Sequence, residues 1–187
     1  MSKKIDDSSV LRHLAGTMDI GKTLAEFPGL TQEYLSNIIV RASEGIEMTV
    51  STKAQLWVDG AARGNPGEAG AGAYMKLPGC EPAGRGEFLG NATNNVAEYK
   101  ALLLGLEMAN NLNIKAVEIY SDSELMIKQM TGEYRVKNED LKTLFSLAHQ
   151  AAGCLESVSY SHVPREENVE ADRLANMAIS ARGPITL

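Results

Sequence analysis

The sequence predicts a mixed α/β domain, of the α+β kind with a mixed sheet, preceded by a small all-α segment. Three observations carry this reading. Residues 8–44 show only helical spacing, whereas strand-like and helix-like runs alternate from Ala54 onward. The first three strand-like runs are joined by Pro- and Gly-containing turns, and the later ones are separated by helices. The resulting order is β-β-β-α-β-α-α-β-α, in which hairpins open a sheet and crossover helices extend it. The expected division is residues 1–50, a small helical, helix-turn-helix-like domain plus linker, and residues 51–187, the main domain.

The first helix is expected at "SSVLRHLA", with a serine cap and Gly16 at its end. The second, "MDIGKTLAEF", is stopped by Pro28-Gly29. Thr31 caps a third, "QEYLSNIIVRAS", which Gly45 ends, with Leu35, Ile38, Ile39 and Ala42 on one face. "GIEMTVSTKA" reads as a connector. The strand "AQLWVDGAA" is followed by the turn "RGNPGEA", then the strands "GAGAYMKL" and "GRGEFLG". A long helix is expected from about Thr93 to Leu112, then the strand "AVEIYSD" and a short helix "SELMIKQMTG". Asn138 caps the helix "NEDLKTLFSLAHQAAG". The strand "LESVSYSHV" and the helix "NVEADRLANMAISA" complete the chain, the latter with Val169, Leu174, Ala175 and Ala178 toward the core.

Composition bounds the function. With 44% hydrophobic and 22% charged residues the chain has ordinary globular composition. A net charge of −6 provides no overall basic field, which argues mildly against a substrate held mainly by electrostatics. Cys80 and Cys154 have no Cys or His at metal-ligand spacing and read as reduced thiols. No apolar run is long enough to span a membrane, and "MSKKIDDSSV" lacks the apolar core of a signal peptide, so a cytoplasmic location is expected.

The long helix contains an anomaly. Ala101, Leu102, Gly105, Leu106 and Ala109 form its apolar face, and one turn earlier the same face carries Glu98. A buried carboxylate needs a partner, a proton or a metal. Asp59 and Asp122 each follow an apolar run at or near the carboxyl end of an expected strand, the edge at which open α/β sheets build sites. Asp172 lies in the first turns of the last helix. Four carboxylates without a Cys/His cluster suit hard cations such as Mg²⁺ or Mn²⁺, and two such ions can clamp an in-line displacement at phosphorus. Each acid also has a plainer reading. Asp59 before Gly60 could be a turn residue, Asp122 an N-cap, Glu98 a complement to the helix dipole, and Asp172 a surface partner of Arg173 or Arg165.

The blocks "WVDGAARGNPGEAGAGAY", "TNNVAEYKALLLGLEMA", "IYSDSELMIKQMTGEY" and "HVPREENVEADRLANMA" together resemble type 1 ribonuclease H, in the family's order and over most of residues 54–181. The resemblance implies a five-stranded mixed sheet of order 3-2-1-4-5. It also implies an endonuclease that hydrolyses the RNA strand of RNA/DNA hybrids, leaving 3′-hydroxyl and 5′-phosphate ends. Asp59, Glu98, Asp122 and Asp172 then become the catalytic acids and the ligands of two Mg²⁺ ions, with Mn²⁺ as a possible substitute. Because the fold also hosts non-nucleases and nucleases with other substrates, a regulatory nucleic-acid-binding protein and a nuclease of different specificity stand as alternatives.

Telling RNA from DNA requires reading the 2′-hydroxyl, a task for neutral donors and acceptors. The resemblance places Asn65, Asn94 and Asn95 along the hybrid's minor groove, and Thr93 at a phosphate of the DNA strand with help from Asn138. The same residues also suit turns, caps and helix N-termini. Two departures stand out. The basic helix and loop that many relatives use to grip the hybrid has no counterpart in "MTGEYRVKNEDLK". The loop "HVPREEN" is short, which leaves Arg165 or His162 as the candidate for assisting product release. Residues 1–50 carry five basic side chains (Lys3, Lys4, Arg12, Lys22, Arg41) against seven acids (Asp6, Asp7, Asp19, Glu26, Glu33, Glu44, Glu47). That balance is poor for gripping phosphates and favours packing, dimerisation or protein contact over weak nucleic-acid binding.

Overall fold

The computed structural model describes residues 6–49 and 53–187. The chain divides into two compact units, Met1–Ser51 and Thr52–Leu187. The expected boundary between residues 50 and 51 lies outside the described residues.

The first unit holds α1 (Asp7–Thr17), α2 (Ile20–Glu26) and α3 (Gln32–Thr49). Asp6, rather than a serine, caps α1, and the helix runs through Gly16 to end at a left-handed Met18. Asp19 caps α2. Helix α3 continues past Gly45, so the start of the expected connector is helical. Val10, Leu30, Leu35 and Ile38 form the buried centre, with Leu11, Leu14, Leu24 and Phe27 around it. Ile39, expected on the same face, is instead 40% exposed. The buried Thr23 hydroxyl donates to the Asp19 carbonyl at 2.9 Å and lies 3.2 Å from His13 Nδ1, which ties α1 to α2.

The second unit is built on β1 (Lys53–Gly64), β2 (Gly67–Lys76), β3 (Ala83–Ala92), α4 (Asn94–Asn111), β4 (Ala116–Ser121), α5 (Glu124–Met130), α6 (Glu139–Ala152), β5 (Ser157–His162), α7 (Val169–Ala181) and β6 (Ile185–Thr186). The sheet order is β5-β4-β1-β2-β3-β6. This is the expected five-strand order plus a two-residue edge strand, too short to leave a periodic signal. β1 runs antiparallel to β2 and parallel to β4.

The two sheet faces have different covers. Leu56 and Val58 point toward α4, and Gly105 lets that helix lie close, since a Cβ there would come 2.7 Å from Leu56 Cδ2. On the other face α7 lies directly on β2, where a Cβ at Gly72 would meet the Ala171 carbonyl oxygen at 2.1 Å. Leu174, Ala175 and Ala178 of α7 are buried as expected, but Val169 is 55% exposed. Helical spacing alone does not separate the first turn of a helix from its buried turns.

Candidate active site

Strand β1 brings the first acid to the site. Asp59 is not a turn residue, because β1 runs through it and continues to Gly64. It lies two residues beyond Trp57, where the parallel ladder with β4 closes. Asp122 immediately follows β4 and comes up beside it. Ser123, not Asp122, caps α5, with its hydroxyl accepting from the Met126 N–H at 3.4 Å. Glu98 enters from the first turns of α4, whose cap is Thr93.

Carboxylate oxygens of Asp59, Glu98 and Asp122 lie within 4.8 Å of one another. Asp59 is 5% exposed and Glu98 6%. Burial first, then the charge of Asp122 and a hydrogen bond shared with it, pushes the Asp59 carboxyl up to about 8. Burial, followed by the charges of Asp59 and Asp122, holds Glu98 well above the usual carboxylate range. Asn94 Nδ2 donates to Glu98 Oε1 at 3.3 Å, while Glu98 Oε2 is buried with no hydrogen-bond partner. Three converging hard-oxygen donors, two of them (Asp59 and Glu98) resisting ionisation and one with an orphaned oxygen, fit a divalent cation, whose charge would relieve both penalties.

The fourth acid is held apart. Asp172 is outside the three-acid group and pairs with Arg165, whose Nη2 donates to Oδ1 at 2.7 Å. Asn176 Nδ2 donates to the Asp172 backbone carbonyl at 3.0 Å and to its Oδ2 at 3.2 Å. Asp172 still contributes to the raised pKa of Asp59. His162 is exposed at the end of β5 and is not a member of the acid group.

The expected substrate-binding residues gather beside the acids. Asn65, Thr93, Asn95 and Asn138 line one cleft of about 260 Å³, with Asp140 also on its wall. Asn65 Oδ1 accepts from the Asn94 N–H at 3.2 Å, which fastens the turn between β1 and β2 to the start of α4. Thr93 and Asn138 also act as caps, accepting from the N–H of Val96 at 3.3 Å and of Leu141 at 3.0 Å. The plainer reading of these two as caps therefore holds, and Asn94 and Asn95 fill the first two positions of α4.

Asn168 is a site residue that the sequence reading passes over. It stands at the N-cap position of α7 but makes no capping hydrogen bond with its side chain. Its Nδ2 donates instead to the Val58 carbonyl at 3.0 Å and to Asp122 Oδ1 at 2.9 Å. One fully buried amide thus joins β1, the end of β4 and α7. The available signal is its spacing, one helical turn before Asp172. Asn168→Ala is expected to destabilise the fold by about 2 kcal/mol, because the buried Val58 carbonyl and the half-buried Asp122 carboxylate lose their donor. It should also weaken divalent-cation binding ~10- to 100-fold through loss of Asp122 alignment. Thermal melting and calorimetric titration check the two effects separately.

The raised pKa of Asp59 sets a pH dependence. Between its unfolded value near 3.8 and its folded value near 8, the folded state binds more protons than the unfolded chain. This contribution is fully present below the unfolded pKa and is lost as pH rises through about 8. Metal-free protein should therefore melt several degrees higher at mildly acidic pH than at mildly alkaline pH. Added Mg²⁺ or Mn²⁺ should close the gap by binding the ionised carboxylates. Melting curves with EDTA or excess cation test this, and Asp59→Asn should flatten the metal-free slope.

The mixed sheet and its inward-facing acids define a ribonuclease H-type fold, and comparisons with known proteins agree. Residues 57–178 match the reverse transcriptase-like family model. A ribonuclease HI of Halobacterium salinarum is 34% identical over 153 residues, covering 78% of this chain and 77% of that protein. The crystal structure of ribonuclease H1 from the same archaeon superposes with a TM-score of 0.67 at 37% identity, covering 69% of this chain and 98% of the other. LC11 ribonuclease H1, solved in complex with an RNA/DNA hybrid, gives a TM-score of 0.65 at 36% identity, covering 70% and 99%. A bifunctional protein of Mycobacterium tuberculosis is 40% identical over 131 residues, covering 69% of this chain and 36% of that protein. The chain thus spans about a third of the length of that mycobacterial relative. This chain belongs to the type 1 ribonuclease H family. Among the described residues no helix is long and apolar enough to cross a membrane.

Proposed function

We propose that this chain is a metal-dependent endonuclease that hydrolyses the RNA strand of RNA/DNA hybrids, leaving 3′-hydroxyl and 5′-phosphate ends. The observation that carries the proposal is the convergence of Asp59, Glu98 and Asp122 on one point, with a buried Glu98 oxygen left over. Asp59, Glu98, Asp122 and Asp172 would hold two Mg²⁺ ions, with Mn²⁺ as a substitute. When bound, such ions supply the positive charge that stabilises the attacking and leaving oxygens of an in-line displacement.

The chain's own residues do the remaining work. Asn94 holds one oxygen of Glu98 and leaves the other free, while Asn168 fixes one oxygen of Asp122. Asn65, Asn94 and Asn95 offer neutral donors and acceptors to the hybrid's minor groove, and the cleft between Thr93 and Asn138 takes a phosphate of the DNA strand. Arg165, which pairs with Asp172, would assist release of the product phosphate, with His162 at the end of β5 as the alternative. All four acids are present, which favours catalysis over a purely regulatory role. The domain of residues 51–187 carries this activity in the cytoplasm. The acidic helical domain of residues 1–50 serves protein contact rather than phosphate binding.

The test uses labelled RNA/DNA hybrid, duplex RNA, duplex DNA and single-stranded RNA, each with Mg²⁺ or Mn²⁺. Cleavage of the hybrid's RNA strand alone, lost in Asp122→Asn, is the expected result. No cleavage of the hybrid overturns the proposal, and equal cleavage of duplex RNA assigns a different substrate.

A further inference from the structure

We infer that the buried hydrogen bond between Tyr99 and Gln129 is a positioning strut that sets the spacing between the two halves of the acid cluster. The inference rests on the acid cluster being a divalent-cation site. The Tyr99 hydroxyl donates to Gln129 Oε1 at 2.8 Å, and the two residues are 1% and 5% exposed. Tyr99 directly follows Glu98 on α4. Gln129 lies on α5, the helix that starts one residue after Ser123 and two after Asp122. The bond therefore ties the helix that carries Glu98 to the helix into which the chain turns directly after Asp122.

Three features make this contact more than core filling. First, α5 has only seven residues, so its orientation comes from packing rather than intrinsic helix stability. Second, its cap bond is long, at 3.4 Å, and its one internal ion pair, Lys128 with Glu124, is on the surface. Third, the seam beside the bond, lined by Asn95, Glu98, Ser123 and Met126, has no room for a water molecule. A Phe–Leu pair would fill the same space but tolerate sliding, whereas a hydrogen bond holds only over a few tenths of an ångström. Glu98 gains from this constraint because Asn94 anchors only one of its oxygens. The strut touches neither substrate nor metal, so it acts by placing the acids.

The experiment compares the full chain with Tyr99→Phe and with Tyr99→Phe/Gln129→Leu, which replaces the polar pair by an apolar one. Mn²⁺ is titrated by calorimetry without substrate, melting temperature is measured, and kcat and KM are measured on the hybrid. Tyr99→Phe is expected to weaken Mn²⁺ binding ~10-fold or more. The double variant should recover melting temperature, because no buried acceptor is left unpaired, yet keep the weakened Mn²⁺ affinity. Its kcat should fall while KM for the hybrid is unchanged. Recovery of wild-type Mn²⁺ affinity in the double variant overturns the inference, as does wild-type affinity in Tyr99→Phe. If the wild-type chain itself binds no Mn²⁺, the metal-dependent function fails, and amide hydrogen exchange in metal-free protein decides the strut separately. Faster exchange confined to Ser123–Met126 in the double variant supports it. Unchanged exchange there, or a rise throughout the domain, overturns it.

Discussion

Asp59→Asn is expected to lower metal-dependent cleavage of the hybrid by at least ~10²-fold and, at the same time, to raise the melting temperature of the metal-free protein at neutral pH. The opposite signs have one cause. Burial and the neighbouring Asp122 carboxylate push the Asp59 carboxyl up to about 8, so an ionised group at this point opposes folding until a cation arrives. Asparagine keeps the shape and removes the charge. It relieves the repulsion felt by Glu98, whose pKa is raised partly by Asp59. It also removes a hard anionic ligand from the centre of the cluster. Loss of even an outer partner of a metal ligand typically costs 10- to 100-fold, so loss of a ligand itself should cost more. Cleavage rates at saturating Mg²⁺ and melting curves in EDTA read the two effects from the same preparation. A variant that loses activity and stability together would point to a structural carboxylate rather than a cation ligand.

Gly60→Ala is expected to damage fold and site together. A Cβ at this position would stand 2.1 Å from the Glu98 backbone nitrogen and 2.2 Å from the Ala97 carbonyl carbon. Both obstacles are backbone, so no side-chain rotation relieves them. The first turn of α4 must move off β1 and carry Glu98 with it. Overpacking of this kind costs about 3 kcal/mol or more. For a chain of this size that lowers the melting temperature by roughly 2–4 °C per kcal/mol. Cation affinity should fall as well, because Glu98 no longer meets Asp59 and Asp122. Melting with and without Mn²⁺ separates the two effects: the cation should stabilise wild type and leave the variant nearly unchanged. A Gly60→Ala protein with wild-type melting and cation response would show that α4 is free to shift.

Gly60 also shows where sequence reading reaches its limit. "DG" after an apolar run is a reasonable turn signal, yet β1 passes straight through it. The glycine is required by a helix whose sequence lies more than thirty residues away, and no local pattern announces that approach. Asn168 is similar. Its residue type and position suit a helix cap, but its amide is committed to Val58 and Asp122. The edge strand β6, with two residues, has no periodicity to read. Val169 fits an apolar helical face and is nevertheless exposed, because it opens α7 and a helix end can extend beyond the surface it packs on; Ile39, in the interior of α3, is exposed beside the buried Ile38. In contrast, Glu98 was legible, since a carboxylate one turn before Ala101 and Leu102 must share their buried face.

The sequence by itself determined the alternation of strands and helices, through local periodicity, and it singled out Glu98 as a carboxylate on a buried face. The order of the sheet and the full set of four candidate acids came from the resemblance of its motifs to type 1 ribonuclease H. Only the tertiary structure decided how the acids differ. It sets Asp59, Glu98 and Asp122 against one another, and it holds Asp172 aside on Arg165. It also joins Tyr99 to Gln129 across a dry seam. Burial, Coulomb repulsion and hydrogen bonding between these groups depend on distances among elements far apart in sequence, and folding alone fixes those distances.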